Sequence, residues 1–421
     1  MTALPDTFCI LPWMHVFADQ RGVLYPCCRG LNSDTPNVDA NGRPYRLGEI
    51  ASLDEAWNSG FMKELRRDLL TGGKPKACAS CFLYEEQAME SPREMWNRIH
   101  APLVTDVLAT ADPDGTAPPI VRTFDIYLGN LCNLRCRMCY PVASKALIKE
   151  WPELRGVSED DPELVEARRL DWFEDDAFWS RFEQFSGHVQ NLHFAGGEPL
   201  LHERMFDFLE RLAASGRSKD ITLSYNSNLT VLPERLFELW PRFKGVTLTA
   251  SIDGVGAVNS LIRNPSDWER LDRNLRFVNE NADRMNCTMV NINTTVQVYN
   301  IFSLVPLFEY VLELERFMPY PVLTILEHPS WFNVRILPRA MKEEAASRLR
   351  DFEERWRGRL PRRRMGHPEK FLSAIDGIIG HMMQRDEPAL IPRFVEQSRI
   401  FDRRRGEDVC EVIPELAPLF D

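Results

Sequence analysis

The chain has 421 residues, of which 44% are hydrophobic and 27% charged, with a formal net charge of −11 and ten cysteines. This is ordinary globular composition, and a chain of this length can bury a core without disulfides or metals, so disordered chains and disulfide-stabilised miniproteins are excluded. The negative charge argues against broad binding to nucleic acid or anionic membranes, because both favour basic surfaces.

The beginning of the chain lacks the features of an export signal. It has no basic start and carries Asp6 early. No apolar run approaches the roughly 18 residues that a membrane span requires. We therefore predict a cytoplasmic protein without a membrane partner. Disulfides are rare in that compartment, so clustered cysteines favour metal binding or redox chemistry.

The first group of cysteines lies before residue 82. Cys9 and Cys27 belong to a C-x12-G-x4-C pattern, and Cys78 and Cys81 form a C-x2-C pair. Two distant half-sites favour one four-cysteine site, which could hold an iron–sulfur cluster or a structural zinc ion. Adjacent cysteines rarely bind one ion together, so the spacing favours Cys27, and Cys28 is the alternative ligand.

The segment between these half-sites predicts a short strand at 47–50 followed by one helix. Ser52 and Glu55 have the spacing of a capping box, and apolar residues recur at helical intervals as far as Gly72. Residues 110–119, rich in Asp, Gly and Pro, predict a linker or exposed loop.

From residue 123 onward, β-like runs alternate with helical segments. The predicted strands are 123–129, 191–195, 221–225, 246–252, 288–298, 322–326 and 334–337, and the predicted helices include 203–214, 268–279 and 301–314. The pattern after residue 338 is helical. Such alternation predicts a parallel sheet, here a partial barrel, whose ligands lie at the carboxyl ends of the strands.

The second group of cysteines directly follows the first of these strands. Cys132, Cys136 and Cys139 form a C-x3-C-x2-C loop with no histidine or fourth cysteine close behind it. Three thiolates suit a [4Fe-4S] cluster with one open iron; a zinc loop or three unrelated cysteines are the alternatives. GGEP at 196–199, Asn226 and SIDG at 251–254 follow later strands, so the same edge of the sheet collects all of them.

These motifs together resemble the radical S-adenosylmethionine (radical SAM) superfamily over residues 120–340. CNLRCRMC resembles its cluster loop, GGEP its motif for the methionine amino group, and SIDG the fourth-strand motif of relatives with an extra cluster domain. The resemblance implies a [4Fe-4S] cluster on Cys132, Cys136 and Cys139, with S-adenosylmethionine on the fourth iron. Reductive cleavage would give a 5'-deoxyadenosyl radical that abstracts hydrogen from a substrate.

Further residue roles are implied by the resemblance alone. The residues implied to bind S-adenosylmethionine are Gly196, Gly197, Glu198, Pro199, Asn226, Ser251, Asp253 and Arg263. Arg263 would pair with the carboxylate, the other interpretation being a solvated, salt-bridging arginine. The residue before the last cluster cysteine is often aromatic in this superfamily, but here it is Met138, and Tyr140 is the alternative adenine contact.

The N-terminal cysteines resemble the auxiliary-cluster domains called SPASM and twitch. A full SPASM domain has more cysteines and follows the barrel, so four ligands fit the shorter twitch type, and the position before the barrel departs from the family order. The resemblance implies that Cys9, Cys27, Cys78 and Cys81 bind an auxiliary iron–sulfur cluster, with [4Fe-4S] favoured over [2Fe-2S]. It would transfer electrons or bind substrate.

The predicted fold class is α/β, in three regions. A small N-terminal α+β twitch-type domain occupies 1–105, a partial (β/α)6 TIM-like barrel 120–340, and a helical region that covers the barrel 341–421. The predicted function is a radical SAM oxidoreductase or transferase-type enzyme that acts on a peptide or protein side chain or a small metabolite, with flavodoxin or ferredoxin as reductant. The alternatives are a non-catalytic iron–sulfur or zinc electron carrier or scaffold, and a radical SAM enzyme that modifies RNA. No general acid or base can be named from the sequence.

Overall fold

The computed structural model describes residues 4–86, 90–110, 112–363 and 366–421. The chain divides into two compact units. The first unit comprises the chain up to residue 131 together with 169–224 and 242–244, and the second comprises 132–168, 225–241 and 245–421. Among the described residues, no helix is long and apolar enough to cross a membrane.

In the described part of the chain, eight strands form one sheet. They are β1 (His15–Ala18), β2 (Leu24–Tyr25), β3 (Thr123–Leu128), β4 (Asn191–Gly196), β5 (Thr222–Ser227), β6 (Gly245–Ser251), β7 (Cys287–Val296) and β8 (Val322–Ile325), in the order β2-β1-β3-β4-β5-β6-β7-β8. Parallel pairing joins β1 to β3, β3 to β4, β6 to β7 and β7 to β8, whereas β2 pairs antiparallel with β1. The predicted α/β class is confirmed, and β3 to β8 follow chain order as a partial (β/α)6 barrel requires.

Helices lie between and after the strands. The α-helices are Cys28–Asn32, Leu53–Trp57, Gly60–Thr71, Ala79–Glu86, Pro92–Ile99, Val104–Ala109, Trp151–Arg155, Pro162–Arg168, Asp176–Phe185, Glu203–Ala214, Leu236–Leu239, Ala257–Ile262, Trp268–Asn281, Leu304–Glu313, Arg339–Trp356, Pro368–Gln384, Ile391–Arg405 and Val409–Val412. The predicted helices at 203–214 and 268–279 are therefore present, and the helix predicted at 301–314 begins with a 3-10 turn, Ile301–Ser303.

Two predicted strands are wrong. Val334–Ile336 is a 3-10 turn, because the Asn333 side chain accepts the N–H of Arg335 at 3.0 Å and starts a turn instead. At 47–50, the N–H groups of Glu49 and Ile50 donate to the carbonyl of Arg46 at 2.9 and 3.1 Å, which curls the backbone. Both segments are short apolar runs, for which periodicity alone does not separate strand from turn.

The helix predicted after Ser52 is two helices. Ser52 Oγ accepts the N–H of Asp54 rather than that of Glu55, so the capping box does not form, and this helix ends at Trp57. Ser59 Oγ caps a second helix by accepting the N–H of Met62 at 3.1 Å. That helix ends as predicted at Gly72, whose φ of +87° suits glycine.

Strands β1 and β2 were not predicted from the sequence. All four residues of β1 are buried, so the strand shows no alternation of polar and apolar side chains. It pairs with β3 in the register His15 to Thr123 through Ala18 to Ile126. The N-terminal segment thus contributes a strand to the sheet in addition to its cysteines.

The predicted linker at 110–119 packs against the first unit over its described part, residue 111 lying outside the described residues. Arg66 is buried, and its Nη1 donates to the carbonyl of Gly115 at 3.0 Å while its Nε donates to the carbonyl of Pro12 at 2.9 Å. Trp57 Nε1 donates to the carbonyl of Ala117 at 3.1 Å. The segment is therefore a fixed connection.

The aromatic segment after residue 168 is a packing element of the first unit. Phe178 and Trp179 are buried, and Trp172 Nε1 donates to the carbonyl of Gln20 at 2.9 Å. The Phe173 ring covers Gly129, the residue that follows β3, so closely that an added Cβ would lie 1.8 Å from Cε1 of the ring. Gly129 also has φ +51°.

We expect Gly129→Ala to lower the free energy of unfolding by about 1–3 kcal/mol beyond the backbone strain, because the methyl group overlaps a buried ring. Gly42→Ala is the control: its φ is +77°, but the described residues place no heavy atom within 4 Å of the added Cβ. The loss of unfolding free energy in Gly42→Ala measures the strain of an alanine at positive φ alone, about 1–2 kcal/mol. Chemical denaturation of both variants measures the difference, and equal losses would contradict the packing account.

Candidate functional site

The three cysteines of the 132–139 loop converge within the second unit. Burial raises the pKa of the Cys139 thiol, and the neighbouring thiols of Cys136 and Cys132 raise it further. The N–H of Cys139 donates to the carbonyl of Cys136 at 3.0 Å, which closes a turn between them. Among the described residues, no three His, Cys, Asp or Glu side chains are placed so that they could hold a metal ion, so the fit of a cluster rests on the spacing of these cysteines and the mutual influence of their thiols.

Asn228, which follows β5, lies beside the loop. Its Nδ2 is 4.0 Å from Cys132 Sγ and donates to Asn133 Oδ1 at 3.0 Å, and Asn133 in turn donates to Thr230 Oγ1 at 2.7 Å. The predicted contact, Asn226, is exposed on β5. Sequence reasoning named only Asn226, although the run NSNLT places a second asparagine two residues later, on the same side of the backbone.

A buried ion pair also lies beside the loop. Arg263 Nε is 2.7 Å from Asp253 Oδ2, and Asp253 Oδ1 accepts the N–H of Thr295 at 2.7 Å. Burial raises the pKa of the Cys136 thiol, the Arg263 cation lowers it and the Asp253 charge raises it. Arg263 is buried, so the interpretation of it as a solvated arginine is wrong.

The GGEP stretch packs against the end of β3 within the first unit. A Cβ at Gly197 would lie 2.2 Å from the carbonyl oxygen of Leu131, and the N–H of Glu198 donates to that oxygen at 2.8 Å. Glu198 is buried and its Oε1 accepts the N–H of Leu200 at 3.1 Å, capping the turn that Pro199 begins. The glycines therefore permit close backbone contact with the residues just before the cysteine loop.

The remaining predicted contacts with S-adenosylmethionine occupy accessible positions. Gly196 ends β4 with φ +111°, and Ser251 ends β6 with a half-buried side chain. Met138 is half-buried within the loop, and Tyr140 is exposed just after it. Their roles in binding the cofactor stay predictions.

The N-terminal cysteines converge within the first unit. Burial raises the pKa of the Cys9 thiol, and Cys27, Cys78 and Cys81 each raise it further. Cys9 lies in an apolar cluster against which Cys27 and Cys78 pack. Cys27 is the N-cap of helix Cys28–Asn32, and the Cys28 side chain begins that helix in an exposed position. Four clustered thiols of this kind fit an iron–sulfur cluster or zinc.

Arg93 holds the two N-terminal half-sites together. Its Nη1 donates to the carbonyl of Phe8 at 2.6 Å, and its backbone N–H bonds to the Cys81 thiol and lowers the pKa of that group against the effect of burial. The guanidinium forms a bidentate pair with Glu85 at 2.8 and 2.9 Å. Sequence reasoning missed Arg93 because nothing in the local pattern links it to residues 85 positions earlier.

A polar group on β3, β4 and β5 was also missed. His193 Nδ1 lies 2.9 Å from Ser224 Oγ, and His193 Nε2 lies 3.8 Å from Asp125 Oδ1, which has no hydrogen-bond partner among the described residues. Burial raises the pKa of Asp125 to about 7 and lowers that of His193 to about 4. The signal was a charged residue inside each of two β-like runs, TFDIYL and NLHFA, at positions that face one side of the sheet.

Two family models match the chain. The radical SAM superfamily model covers residues 126–295, and the iron-sulfur cluster-binding domain model, named SPASM, covers residues 9–82. These ranges contain both groups of converging cysteines. No curated protein sequence matches the chain.

Several solved structures also match, at low similarity. Native anSMEcpe with bound AdoMet and Cp18Cys peptide is 15% identical, with 53% of this chain and 56% of that chain covered and a TM-score of 0.31. Streptococcus suis SuiB bound to precursor peptide SuiA is 11% identical, with 74% and 66% covered and a TM-score of 0.35. TYW1 with a lysine-pyruvate adduct bound is 14% identical, with 56% and 71% covered and a TM-score of 0.27. The chain thus spans little more than half the length of the anSMEcpe structure that it matches.

The family models match in the order in which the two cysteine groups occur, the auxiliary group first. That order, the matched ranges and the convergence of the thiols within each range agree with one another. The chain therefore belongs to the radical SAM superfamily, with an iron–sulfur cluster-binding domain of the SPASM type at its N-terminus.

Proposed function

We propose that this protein is a radical SAM enzyme that oxidises or rearranges its substrate by hydrogen abstraction. Cys132, Cys136 and Cys139 would bind three irons of a [4Fe-4S] cluster. When bound, the reduced cluster and S-adenosylmethionine supply a 5'-deoxyadenosyl radical. The observation that carries the proposal is the convergence of these thiols beside the buried Arg263–Asp253 pair, because Arg263 offers a cation at the loop that favours their ionised form.

The chain's own residues would bind and orient the cofactor. Gly196 and Gly197 let the backbone approach closely, and Glu198 fixes the turn around them. We keep Ser251, Asn226 and the two residues flanking Cys139, Met138 and Tyr140, as contacts for the rest of the molecule. Asp253 already accepts the N–H of Thr295 and forms an ion pair with Arg263, so we assign it to holding Arg263 rather than to a direct contact.

The N-terminal cysteines would hold an auxiliary cluster. Cys9, Cys27, Cys78 and Cys81 supply four thiolates, which leaves no open iron in a [4Fe-4S] cluster and favours electron transfer over substrate binding. Cys28 is exposed next to Cys27 and remains the alternative ligand. Arg93 supports thiolate formation at Cys81 mainly through its backbone N–H, which bonds to the thiol and lowers its pKa, and to a smaller extent through its charge.

Asp125 is our candidate for the proton acceptor. If hydrogen abstraction leaves a carbon radical next to an O–H or N–H group, that group must lose a proton and the radical an electron to form C=O or C=N. A carboxylate with a pKa near neutrality can take that proton at working pH. The auxiliary cluster would take the electron. We propose a peptide or protein side chain as substrate, or else a small metabolite.

The first test is anaerobic reconstitution with iron and sulfide counting, followed by a dithionite-driven assay for 5'-deoxyadenosine. We expect about eight irons, four per cluster, and formation of 5'-deoxyadenosine. Cys136→Ala should abolish that product and remove about four irons. Cys78→Ala should also remove iron but keep cleavage, because it affects only the auxiliary site.

Cys287→Ala is the matched control, since Cys287 lies at the start of β7 and belongs to neither group of cysteines. It should change neither the iron count nor cleavage. A wild-type protein that binds only zinc, or that forms no 5'-deoxyadenosine once loaded with iron, would contradict the proposed function.

The second test concerns Asp125 and pH. Its pKa is about 7 instead of 3.8, so the folded state binds this proton more tightly than the unfolded chain, and stability falls as pH rises from about 4 to 7. His193 acts in the opposite direction between pH 6.5 and about 4. Asp125→Asn removes the loss of stability that ionisation of Asp125 causes and leaves the effect of His193 unchanged. The difference in free energy of unfolding, variant minus wild type, should therefore increase with pH, by at most about 4 kcal/mol.

Urea unfolding of the reconstituted protein at pH 5.5 and pH 8 measures this difference. Asp160→Asn, at an exposed position, is the control and should show none. An Asp125→Asn effect of the same size at both pH values would rule out a raised pKa for Asp125.

A further inference from the structure

The C-terminal segment carries two carboxylates, Asp402 and Glu407, that contact the cluster loop, and the proposed function assigns them no role. Arg405 of the same segment reaches the loop through Glu150. Helix Ile391–Arg405 ends at Gly406, which has φ +65°, and the chain then turns. Asp402 and Arg405 lie on the last turn of the helix, and Glu407 follows the glycine. All of these residues belong to the second unit, as does the loop.

Arg137, between two of the cluster cysteines, is bound by this segment. Its side chain is 0% exposed, and its Nη2 donates to Asp402 Oδ1 at 2.5 Å and to Glu407 Oε2 at 2.7 Å. Its Nε donates to the carbonyl of Leu261 at 3.2 Å. A fully buried guanidinium therefore lies inside the loop, with its charge balanced from residues more than 260 positions later.

The surroundings of Arg137 are aromatic. Its Cζ lies 5.2 Å from the ring centroids of both Tyr299 and Phe401. Burial alone would lower the pKa of Arg137, but Tyr299, Asp402 and Glu407 outweigh that effect and raise it, so the residue is a permanent cation. Charges in such low-polarity surroundings act more strongly on one another than they would in water.

A second arginine of the loop is tied to the same segment. Arg135 Nη1 donates to Glu150 Oε1 at 2.7 Å, and Glu150 Oε2 accepts from Arg405 at 2.6 Å. Arg135 also donates to Asn264 at 2.8 Å, and Asn264 donates to Glu407 at 2.5 Å. Two loop arginines and Arg405 thus face three carboxylates, and removal of one carboxylate leaves an uncompensated positive charge.

That charge balance lies next to a predicted iron ligand. Arg137 directly follows Cys136 in the chain, and its ion pairs bring the charges of Asp402 and Glu407 to the same part of the loop. A [4Fe-4S] cluster becomes more negative by one charge on reduction, and its potential responds to nearby charge. Loss of one carboxylate would make this group more positive by one charge and would therefore favour the reduced form.

We propose that Asp402 and Glu407 are positioning residues that set the reduction potential of the cluster on Cys132, Cys136 and Cys139, through Arg137. This inference rests on the proposed function, since it requires a cluster in that loop. The C-terminal segment is then a part of the redox machinery as well as a covering element.

The test is a redox titration of the reconstituted protein, followed by electron paramagnetic resonance with S-adenosylmethionine present. The signal that changes when S-adenosylmethionine is added identifies the loop cluster. Asp402→Asn and Glu407→Gln are near-isosteric, and each should raise the equilibrium constant for reduction about threefold to tenfold, where tenfold is 59 mV for one electron. Arg137→Gln should shift it in the opposite direction.

Glu153→Gln is the matched control. Glu153 pairs with Arg403 and Arg404, which lie on the same helix as Asp402, and its distance to Arg404 is 2.6 Å. Among the described residues, Glu153 has no contact with the cluster loop. The reduction potential of the loop cluster in Glu153→Gln should equal that of the wild type. An unchanged potential in both Asp402→Asn and Glu407→Gln would overturn the proposal, and so would an equal shift in Glu153→Gln.

If one of the two carboxylate variants loses the loop cluster, the reduction potential of the other variant tests the proposal. A wild-type protein in which no signal responds to S-adenosylmethionine would instead refute the proposed function, so the two failures are distinguishable.

Discussion

A thiol must lose its proton before it can bind iron, and burial opposes that loss. Both cysteine groups of this protein face this conflict, since burial is the largest influence on Cys9, Cys136 and Cys139 and raises the pKa of each. Two arginines oppose this effect of burial: the charge of Arg263 lowers the pKa of Cys136, and the backbone N–H of Arg93 lowers the pKa of Cys81. Both arginines are buried and ion-paired, Arg263 with Asp253 and Arg93 with Glu85. Binding of iron would then release protons and stabilise the fold in one step.

The arginines reach the cysteines through contacts that are distant in sequence. Arg93 comes from a helix that packs against the beginning of the chain, and Arg263 is held by Asp253 after β6. Each cysteine group is consequently completed only when the tertiary fold around it has formed. The arrangement makes the redox sites sensitive to packing errors elsewhere in the same unit.

The sequence alone predicted most of the sheet and both cysteine groups, because strand periodicity and ligand spacing are local signals. It could not predict Arg93 or the Arg137–Asp402 pair, whose partners are 85 and 265 positions apart. It also missed β1, whose residues are all buried, and mistook 334–337 for a strand because one asparagine side chain decides that turn. Asp125 and His193 were visible as charged residues in β-like runs, but only the neighbouring strands show that they lie together.

The pairing of β1 with β3 has a consequence for the autonomy of the barrel region. A chain that began near residue 120 would leave the edge of β3 without its neighbour, with its backbone donors and acceptors exposed. Such an edge can pair with another chain and lead to aggregation. The N-terminal region thus protects the sheet against self-association. This role depends on the pairing of β1 with β3 and not on a cluster, so it would persist if the cysteines were replaced.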